Sequence, residues 1–131
     1  MAGLEAAGAV IGLAGLISSI LEPIQQLQYS LKALKSLQIE LSALFEVLNA
    51  LRPLVESPGG KKISIPQDLF VSCRDTLVEI QRIIDAVTSK PASRYVALAV
   101  RFKHQQRLKQ LKEDLDRHKA TFSIILTSIT R

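Results

Sequence analysis

The sequence predicts an all-α protein, and its composition and its apolar periodicity carry that prediction. Hydrophobic residues make up 47% of the 131 residues and aromatic residues only 5%, which suits helix-on-helix packing better than a β-sandwich. Three segments repeat apolar residues every three or four positions, and no segment alternates apolar and polar residues with period two. We therefore expect residues 1–131 to fold as one domain, an antiparallel bundle of four to five helices.

The first predicted helix, residues 1–22, is apolar and glycine-rich. Its uncharged run, residues 6–21, is 16 residues long, slightly shorter than the 18 or more that usually indicate a membrane span. A secretory signal peptide is disfavoured because Glu5 stands where a positive residue is expected. A membrane-active helix and the core helix of a soluble bundle are both consistent with this pattern.

The second predicted helix, residues 24–56, begins just after Pro23, since proline is tolerated in a first turn. It keeps a seven-residue apolar register, which predicts a helix with one apolar face. The members of this register are Leu34, Leu37, Leu41, Leu44, Leu48, Leu51 and Val55.

Two further helical segments follow the loop ESPGGKKISIP. Residues 65–89 form the third predicted helix, with capping-box spacing between Ser64 and Gln67 at its start. Residues 93–130 follow the break TSKPAS and carry another apolar stripe, which fits either one long helix or two.

The sequence offers little catalytic chemistry. No Cys, Asp or Glu stands near His104 or His118 at the spacings that zinc sites use, and Cys73 lies on an apolar stripe where a buried thiol is common. The N-terminal glycines have no Gly-Lys-Ser/Thr ending and so do not form a phosphate loop. We expect no enzyme activity, no metal and no cofactor, and a single cysteine favours an intracellular protein.

Residues 90–112 form the most basic stretch of the chain. KPASRYVALAVRFKHQQRLKQLK contains seven lysines and arginines and no acidic residue. Such a stretch binds anionic lipid or nucleic acid, or is simply a solvated helix face.

Together, the start GLEAAGAVIGLAGLISSI, the leucine-heptad helix, the segment SCRDTLVEIQRII and the basic close RFKHQQRLKQLKEDLDRHKATFSIIL resemble the N-terminal HeLo-like domains of fungal STAND receptors. That group is similar to the four-helix membrane-active domains of plant immune receptors and of the mixed-lineage kinase-like pseudokinase. The element LAVRFK departs from the Trp-Pro that opens the last helix in many members. This leaves the start of the last helix open.

The resemblance, together with the spacing of the N-terminal glycines, indicates three sets of site residues. The membrane-insertion set is Leu4, Val10, Ile11, Leu13, Leu16, Ile17, Ile20 and Leu21. The helix-packing glycines are Gly8, Gly12 and Gly15. The lipid-headgroup set is Lys90, Arg94, Arg101, Lys103, Arg107, Lys109 and Lys112.

The resemblance also implies a function. The expected role is a cell-death effector domain of a fungal NLR-like immune receptor, or a stand-alone protein, that oligomerises and permeabilises the membrane through its first helix. Its expected partners are anionic membrane lipids, further copies of itself and an upstream STAND receptor, and it relocates from the cytoplasm to the plasma membrane on activation. The alternative is a helical adaptor that binds partner helices without touching lipid. Nucleic-acid binding is disfavoured because aromatic residues are scarce and no binding motif is recognisable.

Overall fold

The structure is a computed structural model that describes residues 2–26, 32–56, 65–88 and 104–130. These residues form four helices and no strand, which confirms the all-α prediction. The helices are α1 (Ala2–Gln26), α2 (Lys32–Glu56), α3 (Gln67–Thr88) and α4 (Gln105–Thr130).

The helices pack in a ring. Helix α1 packs against α2 and α3, and α4 packs against the same two helices from the opposite corner. Only five residues separate α1 from α2, a span of at most about 21 Å, whereas α2 is about 37 Å long, so these neighbours run antiparallel.

Side-chain contacts give the directions of the other pairs. Phe70 near the start of α3 stacks on Phe122 near the end of α4, with ring centroids 5.6 Å apart. Helices α3 and α4 are therefore antiparallel. The starts of α1 and α3 lie side by side and Ser19 on α1 reaches Gln81 on α3, so these two helices are parallel.

The core runs the length of the bundle, and each of the four helices contributes one apolar stripe to it. The seven-residue register of α2 is buried along its whole length. The buried core of the described residues comprises Val10, Leu13, Ile17, Ile20, Ile24, Leu34, Leu37, Leu41, Leu44, Leu48, Leu51, Val55, Phe70, Cys73, Leu77, Ile80, Ile83, Ile84, Leu108, Leu111, Leu115 and Phe122.

The end of the first helix differs from the sequence prediction. We expected helix 1–22 to stop before Pro23 and a new helix to begin at residue 24, but α1 continues through Pro23 to Gln26. A proline in the last turn removes one backbone hydrogen bond. Ile24 is buried one turn beyond Ile20, and this burial favours the extra turn.

The last helix is a single uninterrupted helix from Gln105 to Thr130. The part of segment 93–130 that precedes residue 104 lies outside the described residues, so the choice between one helix and two is settled only for α4 itself.

Candidate functional site

Helix α1 is long and apolar enough to cross a membrane. The stretch Gly8–Gln25 has a mean hydropathy of 1.4 over 18 residues, and it is the one such stretch in the part of the chain that the structure describes. The core helix of a soluble protein and a signal sequence pass the same test, so length and hydropathy alone do not assign α1 to a membrane. The two faces of α1 differ in burial.

The inward face of α1 holds most of the predicted insertion residues. Four of them are buried in the bundle core: Val10, Leu13, Ile17 and Ile20. Leu16 and Leu21 are half-buried at its edges. Ile11 is 45% exposed on the outer side, and the Leu4 side chain lies outside the described residues. In this fold, the apolar face that would enter lipid is mainly the face that packs on α2 and α3.

The outward face of α1 is nearly without charge. The three predicted packing glycines, Gly8, Gly12 and Gly15, are exposed, and a Cβ built on any of them meets nothing within 4 Å. Ser18 and Ser19 follow the glycines and are also exposed. Glu22 is the only charged residue among the described side chains of α1. Exposed faces of helices in soluble proteins usually carry charged residues. The glycines therefore allow no close helix approach among the described residues, and they keep the outer face small and apolar.

The predicted lipid-headgroup residues fall into two groups. Lys90, Arg94, Arg101 and Lys103 lie outside the described residues. Arg107, Lys109 and Lys112 lie on α4, but Arg107 and Lys109 are two positions apart and so point about 200° apart around the helix. These three cations cannot all face one membrane surface.

The α4 cations also have acidic neighbours. Arg107 forms an ion pair with Glu79 of α3, and the hydrogen bond with Glu79 raises the pKa of Arg107. Lys109 and Lys112 line a shallow depression beside α2 together with Glu40, Glu113 and Asp116. The positive charge that the basic stretch predicts is therefore partly neutralised along α4.

The sequence predicts that the acidic residues at 113–116 pair with nearby cations of the same helix, but not that Glu79 and Glu40 lie beside α4, because it does not show which helices are adjacent. Lys119 of α4 bridges two carboxylates, with its Nζ atom 3.2 Å from Glu40 Oε2 on α2 and 3.2 Å from Asp116 Oδ1. Hydrogen bonds with Asp116 and with Glu40 raise the pKa of Lys119. The Glu40 contact is an electrostatic link between α2 and α4.

A polar pair of buried Thr76 and half-buried His118 joins α3 to α4. Thr76 Oγ1 lies 3.1 Å from the Ser72 carbonyl oxygen and 3.0 Å from His118 Nε2. The Thr76 hydroxyl has one proton and donates it to Ser72, so it accepts a hydrogen bond from His118 Nε2–H. Burial lowers the pKa of His118. The sequence signal for this pair was the position of His118 on the apolar stripe, between Leu115 and Phe122.

Neither His118 nor Cys73 belongs to a metal or nucleophile site in the described parts of the chain. No group of three His, Cys, Asp or Glu side chains there lies close enough to hold a metal ion. Cys73 is fully buried, and desolvation raises the pKa of its thiol to about 12, so the thiolate that would act as a nucleophile is absent at neutral pH. The prediction that Cys73 is a core residue is confirmed.

A groove of about 360 Å³ runs between α1 and α3. Gly8, Gly12 and Leu16 form part of its α1 wall, and Phe70 and Val71 form part of its α3 wall. The sequence patterns did not predict this feature, because it depends on two helices that are distant in the chain.

Comparison with known proteins gives the family of the chain. No curated protein and no solved structure matches it. One family model, described as the N-terminal domain of pigment biosynthesis cluster protein PigL, matches residues 5–131. Because that match covers nearly the whole sequence, the chain belongs to the PigL_N family.

Proposed function

We propose that this domain is a membrane-active cell-death effector of the HeLo-like type, acting in a fungal NLR-like receptor or as a stand-alone protein. In the resting state α1 lies in the bundle with its apolar face covered. Activation releases α1 into the membrane, and several copies then permeabilise the bilayer together.

The observation that supports this proposal is the combination of faces on α1. The inward face is apolar and buried, and from Gly8 to Ser19 the outward face of glycine, serine and Ile11 carries no charge. A helix that moves from water into lipid needs both faces to be free of charge, because a charged residue at the bilayer centre costs about 2.5–3.5 kcal/mol even on the lenient insertion scale. An adaptor helix that stays in water has no such requirement.

The exposed glycines support self-association in the membrane. Gly8 and Gly12 have the small-xxx-small spacing that lets helices approach closely in lipid. In the resting bundle the described residues leave both positions uncovered. Their use therefore belongs to the assembled state, in which α1 of one copy packs on α1 of another.

The proposed location is the cytoplasm, with relocation to the plasma membrane on activation. Anionic lipids attract the basic stretch, in which Lys109 and Lys112 share one side of α4 and Arg107 is turned away. An upstream STAND receptor brings copies together and so promotes release of α1.

The test is dye release from phosphatidylserine vesicles, with two matched substitutions in the full chain. Ser18→Glu places a charge near the middle of the Gly8–Gln25 stretch, at an exposed position that the resting fold tolerates. Ser42→Glu places the same charge at an exposed position on α2. We expect Ser18→Glu to abolish dye release and Ser42→Glu to leave it unchanged, while both proteins keep the helical circular dichroism of the unmodified chain.

Two results would contradict the proposal. The first is that the unmodified protein releases no dye at any concentration. The second is that Ser18→Glu and Ser42→Glu release equal amounts of dye. Lipid-independent binding to a partner protein, with no release, would instead favour the adaptor function.

A further inference from the structure

The groove between α1 and α3 has an apolar floor and a polar edge. Leu13 and Leu16 from α1 and Phe70 and Val71 from α3 supply the apolar surface. Val71 is 51% exposed, so the surface that it offers is open to solvent. A volume of about 360 Å³ falls within the range of about 300–1,000 Å³ that is usual for small-molecule sites.

The open side of the groove is maintained by glycine. Gly8 and Gly12 line it from α1, and a Cβ at either position would meet nothing within 4 Å. A larger side chain at Gly12 would therefore occupy the groove instead of clashing with the fold.

The polar residues of the groove are complementary to one kind of charge. Gln67 and Arg74 line it from α3, separated by two helical turns, and no acidic side chain is among the described residues that line it. A guanidinium group binds a carboxylate through two parallel hydrogen bonds, whereas Gln67, two turns away, is neutral and adds no charge to the groove. One guanidinium matches a singly charged carboxylate, whereas a phosphate monoester carries about twice that charge.

We propose that this groove binds a single-chain carboxylate amphiphile, with its alkyl chain against Leu13, Leu16 and Phe70 and its carboxylate at Arg74. Binding joins α1 to α3 in the resting bundle. Binding does not require α1 to enter a membrane. The groove is therefore a separate site, and its test is independent of the membrane activity proposed above.

The probe is decanoate, used below its micelle-forming concentration and measured by isothermal titration calorimetry on the full chain. Decanol, with the same chain length and no charge, is the comparison ligand. We expect one decanoate per protein and weaker binding of decanol, because decanol lacks the carboxylate that pairs with Arg74. Arg74→Gln should weaken decanoate binding by about tenfold, to the level of decanol. Arg82 is an exposed arginine of α3 outside the groove lining, so Arg82→Gln should leave decanoate binding unchanged.

Filling the groove gives the second arm of the experiment. Gly12→Leu should weaken decanoate by at least about tenfold, because the new side chain takes the space of several methylene groups. Gly15→Leu is the matched control, since Gly15 is equally open but does not line the groove. Gly8→Leu is the second groove-filling variant, and thermal melts verify that each variant is folded.

Three outcomes would overturn this site: no decanoate binding, equal binding of decanoate and decanol, or a Gly12→Leu effect no larger than that of Gly15→Leu. Sedimentation identifies the rival occupant. If Gly12→Leu dissociates a dimer and decanoate does not bind, a second copy of the chain occupies the groove.

Discussion

At the residue scale, a polar pair between α3 and α4 and the exposed glycines of α1 are the positions where this bundle departs from an apolar core with a charged surface. His118 and Thr76 place a hydrogen bond between α3 and α4 where leucine would be expected. Gly12 and Gly15 stand on an exposed helix face where alanine or a charged residue would favour the helix. Substitutions at these positions should change the free energy of unfolding.

Protonation of His118 should destabilise the fold. Because its pKa is lowered in the folded state from the ordinary value of 6.5, the unfolded chain binds more protons, and stability increases with pH. The contribution of neutral His118 to the free energy of unfolding is fully present above about pH 6.5 and is lost as the pH falls through the folded-state pKa of this residue. Urea denaturation from pH 5 to 7.5 measures how the free energy of unfolding changes with pH, and His118→Gln should reduce that slope. An unchanged slope in His118→Gln would show that another group is responsible.

The exposed glycines should destabilise the resting bundle. Gly12→Ala and Gly15→Ala should each increase the free energy of unfolding by about 0.5–1 kcal/mol, because alanine restricts the unfolded chain more and meets no neighbour in the fold. Ala50→Gly, at an exposed position of α2, is the reverse control and should decrease it by a similar amount. A loss of stability in both alanine variants would mean that this face is covered in the folded protein.

At the scale of the elements, periodicity predicted the helices well and their ends less well. The register of α2 predicted every buried leucine on that helix, because one face of a regular helix repeats every three or four residues. The end of α1 was predicted wrongly at Pro23, since the local penalty of proline was weighed without the burial of Ile24, which only the packed bundle shows.

The buried register of α2 should contribute strongly to stability. Leu41→Ala and Leu44→Ala each remove a fully buried side chain and should cost about 2–5 kcal/mol in a urea melt. Ile39→Ala is the control on the same helix, where the side chain is 68% exposed and the expected change is within about 0.5 kcal/mol. If neither leucine substitution changed the free energy of unfolding, the core would lie elsewhere.

At the scale of the whole molecule, the adjacency of helices determines which charged and apolar side chains lie together on the surface. Sequence patterns do not show which helices are adjacent. The sequence predicted seven cations for a lipid surface, but adjacency of α3 and α4 pairs Arg107 with Glu79, and adjacency of α2 and α4 places Glu40 near Lys109 and Lys112. The groove between α1 and α3 arises in the same way. The apolar character of α1, by contrast, was readable because it is a property of one segment.

The central claim is that α1 must leave the bundle to act on a membrane, and a reversible cross-link between α1 and α3 tests it most directly. Ser19 Oγ and Gln81 Nε2 lie 3.4 Å apart across these helices, so cysteines at both positions can be joined by a short reagent that reduction cleaves. The native Cys73 is buried, with a thiol pKa of about 12, and does not compete for the reagent.

The measurement is dye release from phosphatidylserine vesicles by the Ser19→Cys, Gln81→Cys protein before and after reduction, with each single variant treated identically as a control. We predict no release from the cross-linked protein, full release after reduction, and no effect of the reagent on the single variants. Equal release by the cross-linked and the reduced protein would contradict the claim, because α1 would then be acting without leaving α3.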